Sequence, residues 1–109
     1  MAKYRLITMV NPKEGREAEL NEWYDGQHVP DLLTVPGVVS GQRFRVRNPM
    51  VPADPICRYM AVFEIDAEDP MPVMAEIRRR SESGEFPLID AFELASMAIY
   101  EALSEPRRP

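Results

Sequence analysis

Several segments of this chain alternate with the two-residue rhythm of a strand, yet carry apolar side chains on both faces. The clearest spans residues 56 to 66. There Cys57, Tyr59, Ala61, Phe63 and Ile65 alternate with Arg58, Met60, Val62 and Glu64. Residues 3 to 10 behave alike, with Tyr4, Leu6, Thr8 and Val10 on one side and Arg5, Ile7 and Met9 on the other. A sheet made of such strands needs cover on both sides, because a wide exposed apolar face drives association.

Between the strands the period changes. Residues 13 to 25 place Ala18, Leu20, Trp23 and Tyr24 on one helical side, with Glu14, Arg16, Glu17, Glu19 and Glu22 mostly on the other. Gly26 is a natural helix end, and Pro30 disfavours helical geometry at Val29, so a break is expected there. A short further turn over Asp31-Leu32-Leu33 follows, and Pro36-Gly37 suits the centre of a type II turn. From 38 to 47, Val38, Ser40, Gln42, Phe44 and Val46 alternate with Val39, Gly41, Arg43, Arg45 and Arg47. Residues 48 to 55, with three prolines, read as a loop. Asp69 as cap and Pro70 in the first turn open a second helix, which turns Val73, Met74 and Ile77 to the core and ends at Gly84. Residues 85 to 93 carry no assignable pattern. The last strand, 94 to 103, sets Leu94, Ser96, Ala98 and Tyr100 against Ala95, Met97 and Ile99.

The order β-α-β-β-α-β implies an α+β, ferredoxin-like fold, a four-stranded antiparallel sheet with two helices on one face. Two helices cover one face only. The economical cover for the other is a second copy of the chain, packed sheet to sheet as a homodimer with a barrel-like interior. Arg43, Arg45 and Arg47 then belong at the rim or against acids.

A length of 109 residues makes one domain, residues 1 to 105, followed by a loose tail over 106 to 109. The net charge of -5 argues against nucleic acid or an anionic membrane surface as partner. No apolar run approaches the roughly 20 residues of a membrane span, and Met1-Ala2-Lys3-Tyr4 leads straight into a strand, so a cytoplasmic protein is expected. Cys57 is the one cysteine and leaves no disulfide or thiolate-metal pattern. With one His, no Gly-rich nucleotide loop and no Ser/His/Asp pattern, neither a metal nor an organic cofactor is expected.

If the chain does chemistry, Trp23 to Gly37 is where to look, since it holds the single Trp and the single His. His28 is the side chain best matched to proton transfer near neutral pH. At a helix C-terminus the dipole would favour its imidazolium form, an acid more than a base; the competing role is a cap on the last carbonyls. Tyr24 and Tyr59 can donate hydrogen bonds to a substrate carbonyl, or simply pack. Trp23 is a pocket wall or a packing residue. Asp31 can orient the His28 ring or cap the short turn, while Asp25 reads as solvated. Arg43 can grip a substrate carboxylate, or belong to a charged face with Arg45 and Arg47. Arg78 to Arg80 point in successive directions round a helix and read as solvated.

Trp23-Tyr24-x-x-x-His28-x-Pro30-x-Leu32 followed by Pro36-Gly37-Val38, on a βαββαβ chain of this length, resembles the EthD-like group of the dimeric α+β barrel superfamily. The similarity is strongest from Asn21 to Phe44. It implies a homodimer with a pocket between sheet and helices, where a His commonly serves as acid or base. The superfamily's activities include cofactor-free oxygenation, cyclisation, isomerisation, dehydration and haem binding. The expectation is a small cofactor-independent lyase- or isomerase-type enzyme acting on a carbonyl-bearing or aromatic small molecule. The alternatives are a non-catalytic ligand-binding or accessory protein, a cofactor-free monooxygenase and a haem-binding protein.

Overall fold

The computed structural model describes residues 2–52, 54 and 56–109; Ala53 and Pro55 of the expected loop lie outside them. The elements run β1 (Tyr4–Pro12), α1 (Glu17–Trp23), a π-helical turn (Tyr24–His28), α2 (Val29–Leu32), β2 (Val38–Arg45), β3 (Tyr59–Ile65), α3 (Met71–Glu82) and β4 (Phe92–Glu101). The sheet is antiparallel throughout, in the order β2-β3-β1-β4. This is the ferredoxin-like α+β arrangement, with the helices packed on one face. No helix among the described residues is long and apolar enough to cross a membrane.

The core lies between sheet and helices. Leu6, Val10, Ala61, Phe63 and Ile65 of the central strands meet Leu20, Trp23, Tyr24 and Leu32 from the first helical stretch and Val73 and Ile77 from α3. Asp69 caps as expected, its Oδ1 accepting from the Met71 N–H at 2.9 Å, although Pro70 rather than Asp69 stands at the cap position. Gly84, at φ +85°, ends α3. Gly37, at φ +98°, sits in the turn closed by the Val38 N–H to Val35 carbonyl bond, where a third-position residue needs positive φ.

The expected helix end at Gly26 is not there. The chain stays helical from Glu17 to Leu32 because it widens into a π turn, in which the Val29 N–H reaches back five residues to the Tyr24 carbonyl. The ladder changes register at this turn. Pro30, which has no N–H to give, falls in the first turn after the change, where none is demanded. Gly26 keeps a negative φ, and His28 lies inside a continuous helix.

Two bulges revise the strand faces. The pairing of β2 slips between Val38 and Ser40, so buried Val38 shares the helix-side face with Gly41 and Arg43. The β1–β4 pairing slips where Val10 meets Leu94 and Met9 meets Ser96, leaving Ala95 unpaired. Leu94 therefore joins Met97 and Ile99 on the helix side, while Ser96, Ala98 and Tyr100 face away. Strand β1 also runs past the expected stop, since Pro12 closes it opposite Phe92.

On the far face, Ile7 stands between Val62 and Ala98, and Met9 between Met60 and Ser96. Phe44 and Tyr100, 40% and 53% exposed, extend this apolar surface across the sheet.

Gly41 lets α2 approach the sheet. A Cβ there would meet the Phe63 ring at 2.9 Å and Val29 Cγ1 at 3.2 Å, and Phe63 is fully buried. Gly41→Ala is expected to lower stability by about 1–3 kcal/mol, read as a lower urea midpoint at unchanged slope.

Candidate functional site

The π turn determines what the first helical stretch shows the sheet. Trp23, Tyr24 and His28 come off it close together and enclose one another. The Trp23 and His28 rings stack at 4.5 Å and 20°, and Tyr24 meets His28 edge-on at 5.1 Å and 89°. Phe63 of β3 presents another edge to His28 at 6.3 Å. Trp23 is fixed in turn by its indole N–H, which donates to the Pro87 carbonyl at 2.9 Å, and by stacking on Phe92 at 5.6 Å. The stretch from 85 to 93, patternless in sequence, thus anchors the ring on which His28 lies.

These side chains line a cleft of about 670 Å³ between sheet and helices. Leu6, Thr8 and Val10 form its floor, Met71, Met74 and Ile77 of α3 one wall, and Phe92, Leu94 and Met97 the edge-strand wall. The volume lies within the range of small-molecule sites. Its polar interior groups are His28, Tyr24 and Thr8; Arg78, Arg79, Ser81 and Glu82 come from α3. Those arginines are solvent-exposed as expected and make surface pairs, Arg78 with Glu82 at 2.9 Å and Arg79 with Glu76 at 2.8 Å.

His28 does not cap a helix end, because the helix does not end there. Nor does a dipole keep it charged. Burial among aromatic rings pushes its pKa down to about 4, against a weaker opposing pull from the Asp31 carboxylate. The imidazole is therefore neutral at physiological pH, and its Nδ1 is buried with no hydrogen-bond partner among the described residues. The tautomer the ring adopts leaves one nitrogen free to accept a proton. A ring that is neutral at this pH can accept a proton but holds no imidazolium proton to give. Burial likewise raises the Tyr24 pKa, partly countered by the Thr8 hydrogen bond and by Arg43, so its hydroxyl remains a donor.

The other expected site residues stand apart from the cleft. Tyr59 turns its hydroxyl to Glu17 Oε1 at 2.5 Å and accepts from Asn21 Nδ2 at 3.3 Å. Those bonds, from Tyr59 first and then from Arg58, hold the Glu17 carboxyl below its usual range. Asp31 accepts from Gln27 Nε2 at 2.8 Å and touches His28 only through its field. Arg43 does not reach the cleft. Its guanidinium lies on the Tyr24 ring at 4.6 Å and on Tyr59 at 5.2 Å, and pairs with Asp25 at 3.1 Å. Asp25 is thus paired, not merely solvated. With its side chain only 13% exposed, Arg43 sits behind Tyr24, in a shallow polar depression with Asn21, Gln42, Arg45 and Tyr59. Thr8, Phe92, Leu94 and the cleft methionines are functional candidates that motif reading passes over. Thr8 leaves a visible trace, a hydroxyl inside the apolar stripe Leu6-Thr8-Val10.

No protein-family model and no curated protein matches this chain. Solved structures do. An EthD family protein from Bacillus halodurans superposes with a TM-score of 0.63 at 19% identity, covering 93% of this chain and 99% of that one. The two chains share one fold, the ferredoxin-like α+β arrangement. MhuD of Mycobacterium tuberculosis, a haem degrader with two haems bound in its active site, matches at a TM-score of 0.65 and 15% identity over 95% and 99% of the two chains. HapK of Hahella chejuensis matches at 0.57 and 12% over 97% and 98%. At these identities the likeness carries the architecture and no activity.

His28 is the single His of the chain, so its titration is directly observable. Its imidazole C–H resonances are expected to titrate with a midpoint near pH 4, not near 6.5. Because the folded pKa is depressed, the unfolded chain binds more protons between these values. The resulting stability is full above about pH 6.5 and lost as pH falls through 4. Over that window the wild type is expected to lose up to about 3 kcal/mol more than His28→Gln, measured by urea unfolding at each pH.

Proposed function

We propose that the protein is a small enzyme of the acid–base class, using His28 as the base on an uncharged, carbonyl-bearing ring compound held in the cleft. One observation carries this reading: the chain's single imidazole is half-buried and neutral, with an Nδ1 that has no hydrogen-bond partner among the described residues, and it lines a mainly apolar cleft of substrate size. A structural histidine of this burial would ordinarily have its ring nitrogens satisfied. An accessory protein on the same scaffold would not need a titratable ring in the lining of the cleft.

The step that such a site supports is proton abstraction next to a carbonyl. The free ring nitrogen of His28 takes the α-proton, the C–H electron pair becomes the new C=C bond, and the carbonyl π pair moves to oxygen. Return of the proton to another carbon gives isomerisation, and loss of a β-substituent gives elimination. Both are lyase- or isomerase-type outcomes. Apolar walls exclude water and strengthen any hydrogen bond to the developing oxyanion.

2-Tetralone has acidic α-hydrogens and the bicyclic size that the cleft admits. Exchange of those hydrogens for deuterium in heavy water is expected to be accelerated by the wild type and to fall about 10²–10⁴-fold in His28→Gln, followed by NMR. Equal exchange by the two proteins would end the proposal. Haem is the companion probe, since an axial imidazole here would have to be His28. A haem absorption band shifted by the wild type and not by His28→Gln would replace acid–base catalysis with haem binding.

A homodimer formed through the open sheet face completes the proposed functional unit. Ile7, Met9, Phe44, Met60 and Val62 make a continuous apolar surface there, of the kind that association removes from water. Val62→Glu is expected to shift the protein from dimer to monomer in sedimentation velocity at micromolar concentration. A wild type that sediments as a monomer would refute this part.

A further inference from the structure

The same cleft holds a second polar feature that acid–base chemistry at His28 does not by itself explain. Thr8 is the buried polar residue of the core, 8% exposed, on the central strand β1. Its Oγ1 lies 2.9 Å from the Tyr24 Oη, and Tyr24 is 3% exposed. Both residues line the cleft. Two hydroxyls hold two protons between them, and one hydrogen bond uses one. Whichever group donates, the accepting hydroxyl keeps an O–H proton with no acceptor among the described residues. In an apolar, buried setting an unused donor is costly, and native structures keep such groups for a partner.

We propose that the Thr8–Tyr24 hydroxyl pair is the oxygen-binding point of the cleft, donating its one spare proton to a ketone oxygen of the bound compound. This rests on the reading of the cleft as a substrate site and adds which end of the substrate goes where. Tyr24 meets the His28 ring edge-on, and both line the cleft, so an oxygen held by the pair sits in the same pocket as the imidazole. Donation within the pair polarises the second hydroxyl, so the two act as one stronger donor. On the other side of Tyr24, the Arg43 guanidinium rests 4.6 Å from the ring centroid. That positive charge favours electron density gathering on the bound oxygen, which makes Arg43 a positioning residue acting through Tyr24. The same geometry selects against a carboxylate. The pair offers one neutral donor and no charge; Arg43 is screened by Tyr24, and the cations that line the cleft, Arg78 and Arg79, lie on α3 in exposed pairs with Glu82 and Glu76. The ligand class is therefore an uncharged ketone on an apolar ring frame.

The test compares two probes of one shape, 2-tetralone and its hydrocarbon tetralin, which differ in the oxygen. Binding is read from the fluorescence of Trp23, the single Trp of the chain and a cleft residue. In the wild type the ketone is expected to bind about tenfold more tightly than the hydrocarbon. The ratio should fall to near one in the Thr8→Val/Tyr24→Phe double variant. Each single variant should lose much of it, since a pair acting as a unit is non-additive. Thr8→Ser should keep the wild-type ratio, and unchanged tetralin affinity reports an intact cleft. A tenfold ratio surviving in the double variant, a ratio near one in the wild type, or failure of both probes to bind would overturn the proposal. No turnover is needed. Ketone preference without His28-dependent exchange would sink the base and leave the oxygen site standing; exchange without preference would do the reverse.

Discussion

The π turn at Tyr24–His28 is the constraint on which the site depends. An α-helix places residues four apart almost in line, and with a strict α ladder Pro30 would remove a bond from its middle. Adding one residue to the turn changes the ladder's register at the place where proline interrupts it. It also re-aims Trp23, Tyr24 and His28 together toward the sheet. A defect in the hydrogen-bond ladder and a cluster of three aromatic rings are thus one feature.

From that cluster the electrostatics follow. His28 is enclosed by Trp23, Tyr24 and Phe63, and the desolvation this brings outweighs the carboxylate at Asp31. Tyr24 has a mainly apolar cleft on one side and a stacked guanidinium on the other, so a single ring separates the cleft from the Arg43 charge. Placing Arg43 behind the wall keeps its charge within range of the cleft without hydrating it.

Much of the architecture is legible in sequence because it derives from periods. The alternation of β1 and β3, the helical spacing of α3 with its Asp69 and Gly84 ends, and the Pro36-Gly37 turn are local rules that tertiary packing leaves in place. The positions at which one residue is inserted are illegible. The bulges at Val39 and Ala95 and the π turn each add a residue without changing the composition around them, and each reassigns the faces of the residues beyond it. The Gly26 and Pro30 signals are sound as local statements and are overridden by the packing of Trp23 and Tyr24. His28 is legible as a candidate because it is alone. Its protonation state is not, because that depends on rings brought in from β3 and on an indole anchored by Pro87. Tyr59 and Arg43 look equivalent to Tyr24 in sequence, and only the β2–β3 register reveals that they lie on the wall's other side.

The bulge in β4 has a further consequence. Leu94 and Met97 wall the cleft, yet both stand exposed on an edge strand, outside the buried cluster that holds sheet and helices together. Changes at those two positions alter what the cleft admits while leaving Leu20, Phe63 and Ile65 undisturbed. Fold maintenance and ligand choice are thereby assigned to different residues. A scaffold divided in this way can change the shape of its cleft through single substitutions on the rim, with His28 and the helix that carries it left as they are.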